Sequence, residues 1–256
     1  MTLQRSGGAA AFSTSADAYA ATMAPALRPV AEQVVRGAAL RPAGSVLDIG
    51  TGTGNALPLL IGDGRRIVGT DAASGMLELA AAAAPGVELV EADFRELPFA
   101  DGTFEVIVAV HALLFADDRV AALREWRRVT APGGRISLSV PGPDDVVPTA
   151  VLAPVYERYG LTWGYDYPSE TDLSGWAAAA GWRDVATFAD PTTAIPLADD
   201  DDYRTWLRVG ARGRATADWT AELRENFTRD LMAATPRDGD GGYRLPFGSL
   251  YLTARK

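Results

Sequence analysis

Apolar positions recur at helical spacing over residues 17–40, at Tyr19, Met23, Leu27, Val30, Val34 and Val35. That spacing predicts an amphipathic helix, with Pro25 and Pro29 starting or breaking its turns. From Ser45 the period changes. SVLDI (45–49), RIVGTD (66–71), VELVEAD (87–93), TFEVIVAV (103–110) and RISLSV (135–140) read as strands. NALPLLIG (55–62), SGMLELAAAAA (74–84) and RVAALREWRRVT (119–130) read as helices between them. Pro58 fits only in a first helical turn, Ser74 caps the next helix, and Pro85-Gly86 closes it. Arg41–Gly44 and Ala131–Gly134 read as turns. Strands alternating with helices imply a parallel sheet covered on both faces, and the unbroken apolar run VIVAV fits a doubly buried strand. Right-handed crossovers fix the winding. Past Pro141 the rhythm changes to a helix at 148–160, a helix at 170–180 ended by Gly181 and a strand at 183–189. A polar, Trp-containing helical stretch at 199–234, a DGDGG loop and a closing strand in FGSLYLTARK follow. Residues 1–15, rich in Gly, Ala and Ser, are expected to be poorly ordered. The chain divides into a helical cap (1–40) and one α/β domain (41–256), to which 148–168 and a helical insertion at 199–235 are added.

Composition narrows the chemistry. With 48% hydrophobic and 22% charged residues, the 256-residue chain is an ordinary globular protein with one large core. A net charge of −9 argues against a nucleic-acid phosphate backbone as partner. No cysteine and a single histidine exclude thiolate nucleophiles, Cys-based metal sites and multi-His metal sites. No apolar run approaches the ~18 residues of a membrane span, and the N-terminus lacks a signal-peptide pattern. A cytoplasmic protein, monomer or homodimer, with a small-molecule substrate, no nucleic acid and no membrane is the expectation. Asp199–Asp202 are expected to cap a helix rather than hold a cation.

The stretch VLDIGTGTGN places Gly50, Gly52 and Gly54 directly after a strand. Glycines there serve either a tight turn or the close approach of backbone to a ligand. Asp71 ends the second strand, where a carboxylate accepts hydrogen bonds from a ribose diol or caps the next helix. Asp93, followed by Phe94, ends the third; the pair suits an adenine amine and ring, or an ordinary loop acid with a core Phe. Asp48 sits in an otherwise apolar strand and needs partners; it orients the glycine loop or receives an ammonium group. The spacing is not the G-x-G-x-x-G of dinucleotide enzymes.

Together, VLDIGTGTGN, IVGTDAASGML, VEADFRELPFADGTFEVIVAVHALLF and LREWRRVTAPGGRISLSV resemble the class I S-adenosylmethionine-dependent methyltransferases, with a core like that of the ubiquinone and menaquinone methyltransferases. The resemblance is close over about 40–140 and extends through GWRDV and PFGSLYLTARK. It implies a Rossmann-like, seven-stranded, mostly parallel sheet whose last strand is antiparallel. It also implies S-adenosyl-L-methionine as cofactor. The implied contacts are Asp48, Gly50, Thr51, Gly52, Gly54, Asp71, Ala72, Met76, Asp93, Phe94 and Val110, with Tyr19 closing over the methionine end or packing in the core.

Methyl transfer from a sulfonium is an in-line displacement, for which an enzyme mainly supplies alignment. His111, with an ordinary pKa near ~6.5, is the candidate general base for a hydroxyl or enol acceptor; the alternative is a cofactor-loop residue or a packed histidine. Tyr156, Tyr159, Trp163, Tyr165, Tyr167 and Trp206 are candidates to line a pocket for an apolar or aromatic metabolite, or are core anchors. Asp117-Asp118 do not complete a metal-ligand set, so no metal is expected. Two alternatives stay open: a methyltransferase scaffold that regulates, or catalyses a cyclisation or rearrangement, without transferring methyl; and, remotely, a nicotinamide-dependent oxidoreductase. A natural-product pathway fits the Ala, Gly and Arg richness.

Overall fold

The computed structural model describes residues 2–3, 8–143, 147–163 and 167–256. The chain runs through β1 (Thr2–Leu3), α1 (Gly8–Thr14), α2 (Ala16–Gly37), β2 (Ser45–Ile49), α3 (Leu57–Leu60), β3 (Arg66–Asp71), α4 (Ser74–Ala83), β4 (Glu88–Glu91) and β5 (Phe104–Val110). After a 3-10 turn at Leu113–Phe115 come α5 (Arg119–Val129), β6 (Thr130–Pro141), α6 (Pro148–Arg158), β7 (Thr162–Trp163), α7 (Glu170–Ala179) and β8 (Arg183–Asp190). The chain ends with β9 (Ala194–Leu197), α8 (Asp200–Leu207), α9 (Gly210–Ala215), α10 (Ala221–Ala234), β10 (Tyr243–Pro246) and β11 (Ser249–Arg255).

Seven strands form the main sheet in the order β4-β3-β2-β5-β6-β11-β8. Its pairs from β4 to β6 are parallel, and β11 runs antiparallel to both neighbours. Alternation along each strand splits the core into two layers. Val46, Val106 and Val108 face α2, α6, α8 and α10, whereas Leu47, Ile49, Ile107 and Ala109 face α5 and α7. The order reverses at β2, between β3 and β5. There the crevice at the carboxyl ends of the strands is the usual ligand position in such sheets. Among the described residues no helix is long and apolar enough to cross a membrane.

Several elements differ from expectation. Residues 8–14 form α1, not a disordered tail, because Ala11 is buried and Phe12 packs on the core. Pro25 and Pro29 lie inside a continuous α2: each removes one ladder bond, but the face carrying Met23, Ala26, Leu27, Val30, Ala31 and Val34 is buried and holds the helix together. The helix expected at 55–62 is a single turn. The expected turn at 131–134 continues as the first part of β6. The 199–234 stretch breaks into three helices, and β9 and β10 pair as a separate antiparallel ribbon. Asp199 caps α8, accepting from the amides of Asp201 and Asp202 at 2.9 Å.

Candidate active site

The loop that leaves β2 is built for tight packing. Gly50 and Gly52 have φ of +66° and +55°, the left-handed region that L side chains rarely enter. A Cβ on Gly50 would fall 2.6 Å from the Cβ of Ala112, so only glycine lets the loop lie against the segment after β5. A Cβ on Gly52 would meet nothing closer than 4.0 Å. Its need for glycine is therefore conformational, and the space beside it is open. Gly54 departs from the sequence expectation: it lines neither of the two spaces described below. Its missing Cβ leaves room for α4, whose Ala80 Cα would be only 3.1 Å away. Gly54→Ala, at φ +88°, combines strain with that clash. It should cost about 1–3 kcal/mol in urea unfolding and leave the cavity residues unaltered.

Two carboxylates fix this loop from below. Asp71, at the end of β3, accepts from the amides of Gly52 and Ala73, both at 2.9 Å, and so ties the loop to the start of α4. Asp48, buried in β2, accepts from Thr51 Oγ1 at 2.6 Å, while the Thr51 amide donates to Thr70 O. Neither acid has an ion-pair partner among the described residues. Burial, with the Asp71 charge adding to it, pushes the Asp48 carboxyl up to about 7 against the Thr51 hydrogen bond that favours ionisation. Burial raises Asp71 too, offset by its backbone donors.

Above the loop is a cavity of about 370 Å³. Gly50, Gly52 and Asp71 form its floor, with Ala72, Ala73 and Met76 from the start of α4 and Ala92–Arg95 from the loop after β4. Val110, His111, Ala112, Phe115 and Asp117 from beyond β5 complete it, with Ala9, Phe12 and Tyr19 from the N-terminal helices. A smaller adjoining space, about 20 Å³, lies among Asp48, Thr51, Tyr19 and Asn55. The carboxylate of Asp93 is held by Arg95, whose Nε donates at 2.9 and 3.0 Å and whose Nη2 sits at 2.5 Å. This guanidinium keeps the acid below the usual carboxylate range. Phe94 is positioned from behind: Trp126 donates to its carbonyl at 3.0 Å and meets its ring edge-on.

His111 has φ +53°, a strained conformation for a bulky residue. Its Nε2 pairs with Ser249 Oγ at 3.0 Å, Phe247 meets its ring, and Nδ1 is buried without a hydrogen bond. The expected ordinary pKa is not what the site provides. Burial drives it down to about 3, so the imidazole is neutral and a weak proton acceptor.

Four of the aromatic side chains expected to line a pocket, those of Tyr156, Tyr159, Tyr167 and Trp206, are elsewhere. Tyr156 and Trp206 are buried in the core beneath the insertion. Tyr159 stacks on Trp219 and donates to Asp230 at 3.0 Å. Tyr167 sits with Leu114 and Val147 behind Phe115, one layer from the cavity. Trp163 contributes its backbone to β7, beside Leu3. Tyr165 lies outside the described residues. In their place the cavity takes Phe12 and Phe115, which sequence reasoning missed, together with Arg95 and Asp117. The available signal was the lone aromatic in GGAAAFSTSAD, seven positions before Tyr19 and thus two helical turns away.

Residues 47–138 match the family described as a methyltransferase domain. A demethylmenaquinone methyltransferase of Mycolicibacterium vanbaalenii is 35% identical over 168 residues, covering 57% of this chain and 71% of that protein. Another, of Mycolicibacterium gilvum, is 41% identical over 197 residues and covers 76% of each chain. The chain belongs to the methyltransferase family. Among solved structures, the [4+2]-cyclase SpnF superimposes with a TM-score of 0.60 at 19% identity, over 90% of this chain and 81% of its own, a likeness of fold. The enzyme is an S-adenosylmethionine-dependent methyltransferase, and its cavity fits that cofactor. The volume lies within the roughly 300–1,000 Å³ of small-molecule sites. One buried and one half-buried acid, neither with an ion-pair partner among the described residues, suit a ligand bearing an ammonium and a sulfonium, whereas a dinucleotide pyrophosphate would be repelled.

Proposed function

We propose that this methyltransferase transfers a methyl group to a flat aromatic or quinoid small molecule bound against the aromatic wall of the cavity. The observation that carries the cofactor side is the pair of buried Asp48 and half-buried Asp71 beside the glycine loop, neither with an ion-pair partner among the described residues. Asp71 retains lone pairs beyond those used by Gly52 and Ala73, and these suit a ribose diol. Asp48, through the small space by Thr51 and Tyr19, suits the ammonium end. Met76 and Phe94 flank the position for a base ring, and Asp93 serves its amine once Arg95 gives way. The bound cofactor supplies a methyl group on a positively charged sulfur, which leaves as a neutral thioether when the acceptor's bond to carbon forms. The chain supplies orientation, worth up to about 7–11 kcal/mol in well-aligned cases. His111, neutral and anchored by Ser249, orients the acceptor instead of deprotonating it. An acceptor that enters already ionised, such as the monoanion of a hydroquinone, suits a site without a strong base, and after transfer to carbon the displaced ring proton passes to water.

The relatives named above give the acceptor to try first. The enzyme is incubated with methyl-labelled S-adenosylmethionine and detergent-dispersed, reduced demethylmenaquinone, with a small-molecule extract in parallel. Label is expected in a quinoid or other aromatic product, and S-adenosylhomocysteine, but not NAD, should raise the melting temperature. Stabilisation by S-adenosylhomocysteine with no labelled product in either mixture would overturn methyl transfer to such an acceptor.

A further inference from the structure

We propose that Phe12 and Phe115 form the wall that selects the acceptor, and that α1 is a seated lid carrying half of it. The inference rests on the methyl-transfer reading above and assigns its acceptor face. The two rings meet edge-to-face at 5.3 Å and 79°, and Phe12 meets Tyr19 in the same way at 6.0 Å. All three line the cavity, yet they come from three separate segments: α1, the turn after β5, and α2. Such a corner of ring edges and faces complements another flat ring, adding about 0.5–1.5 kcal/mol per aromatic contact beyond area burial.

The hold on α1 is local. A seven-residue helix is too short to persist alone, so its position depends on what it touches. It sits between α4 and α9. The Gly75 amide donates to Ser13 Oγ, and the Gly210 amide donates to Ser15 Oγ, just past the helix end; both bonds are long, at 3.3 Å. A Cβ on Gly75 would fall 2.7 Å from the Ser13 carbonyl oxygen and 3.0 Å from its Cα. Backbone cannot yield there as a flexible side chain would. Gly75 therefore acts as the floor of the seat, outside the cavity wall. Alanine at that position favours α4 itself by up to about 1 kcal/mol, so the harm it does falls on the docking of α1.

The test uses the full-length enzyme saturated with S-adenosylhomocysteine and titrated calorimetrically with 2-naphthol as a flat aromatic probe. Wild type should bind it. Phe12→Ala and Phe115→Ala should each weaken 2-naphthol roughly tenfold. Phe12→Leu and Phe115→Leu, which keep the bulk, should weaken it less, and S-adenosylhomocysteine affinity should stay within about twofold throughout. Gly75→Ala should weaken 2-naphthol and speed S-adenosylhomocysteine release in stopped flow without lowering the melting temperature. If wild type does not bind 2-naphthol, or if the Phe12 and Phe115 variants bind it as wild type does, the wall is overturned while methyl transfer stands. Unchanged 2-naphthol binding by Gly75→Ala overturns the seat. Failure of wild type to bind S-adenosylhomocysteine overturns the functional reading beneath both.

Discussion

Asp71→Ala should weaken S-adenosylhomocysteine binding roughly 100-fold, about 3 kcal/mol, and lower the stability of the ligand-free enzyme as well. The carboxylate has two tasks that truncation removes together. It pairs the amides of Gly52 and Ala73, and in a largely buried place each orphaned donor costs about 1–3 kcal/mol. In the reading proposed above it also accepts from the ribose hydroxyls of the cofactor. Asp71→Asn separates the tasks. Its amide oxygen accepts one of the two backbone donors, its NH₂ opposes the other, and the charge is gone. The Asn variant should therefore recover part of the stability in urea unfolding while binding stays weak. Calorimetric titration of both variants decides the matter: an Ala variant that binds within about threefold of wild type would remove Asp71 from the cofactor site.

The residues that proved legible were those whose meaning is local. Gly50 and Asp71 belong to one strand-helix-strand unit, β2 to β3, and the period change at Ser45 marks that unit without knowledge of any distant contact. The parallel pairing of the central strands followed from the same alternation. What escaped was decided by tertiary partners. Gly54 has the same spacing as its neighbours, but Ala80, which explains it, arrives 26 positions later in another helix. An aromatic at Tyr156 or Trp206 reads in sequence like one at Phe115; only packing shows that the first two fill the core and the third faces the cavity. His111 could not be settled between a titrating base and a packed histidine, because burial and the Ser249 contact, 138 positions away, are invisible along the chain. In α1 the low-complexity composition hid Phe12, whose neighbours Phe115 and Gly210 come from far downstream.

Asp48 and His111 should give the enzyme a stability that is nearly flat between about pH 4.5 and 6.5, because two large slopes oppose each other. The native Asp48 carboxyl holds its proton up to about 7, whereas in the unfolded chain it ionises near ~3.9. Its stabilising contribution is whole below the unfolded value and is lost as pH rises through the native one, a change of about 4 kcal/mol. His111 works in the other sense. The native imidazole stays neutral down to about 3, whereas unfolded it takes a proton below ~6.5, so its contribution is whole above that value and is lost as pH falls. At pH 5.5, unfolding takes a proton from Asp48 and gives one to His111, with almost no net exchange. Of the other groups facing Asp48, Tyr19 is raised further above its ordinary alkaline range and stays outside this window, whereas Asp71 is raised in the same sense as Asp48 and adds to its side of the balance. Asp48→Asn, which keeps an oxygen to accept from Thr51, should therefore become more stable with rising pH, and His111→Gln less so. Each should change by about 2–2.5 kcal/mol across the window in urea unfolding. The double variant should be flat again. A cationic ligand favours the ionised Asp48, so S-adenosylmethionine binding to wild type should release a proton below pH 7 and strengthen as pH rises toward it, an effect that Asp48→Asn removes. Single variants that track the wild-type profile would show that neither group is held in the buried, uncharged state on which the site's electrostatics depend.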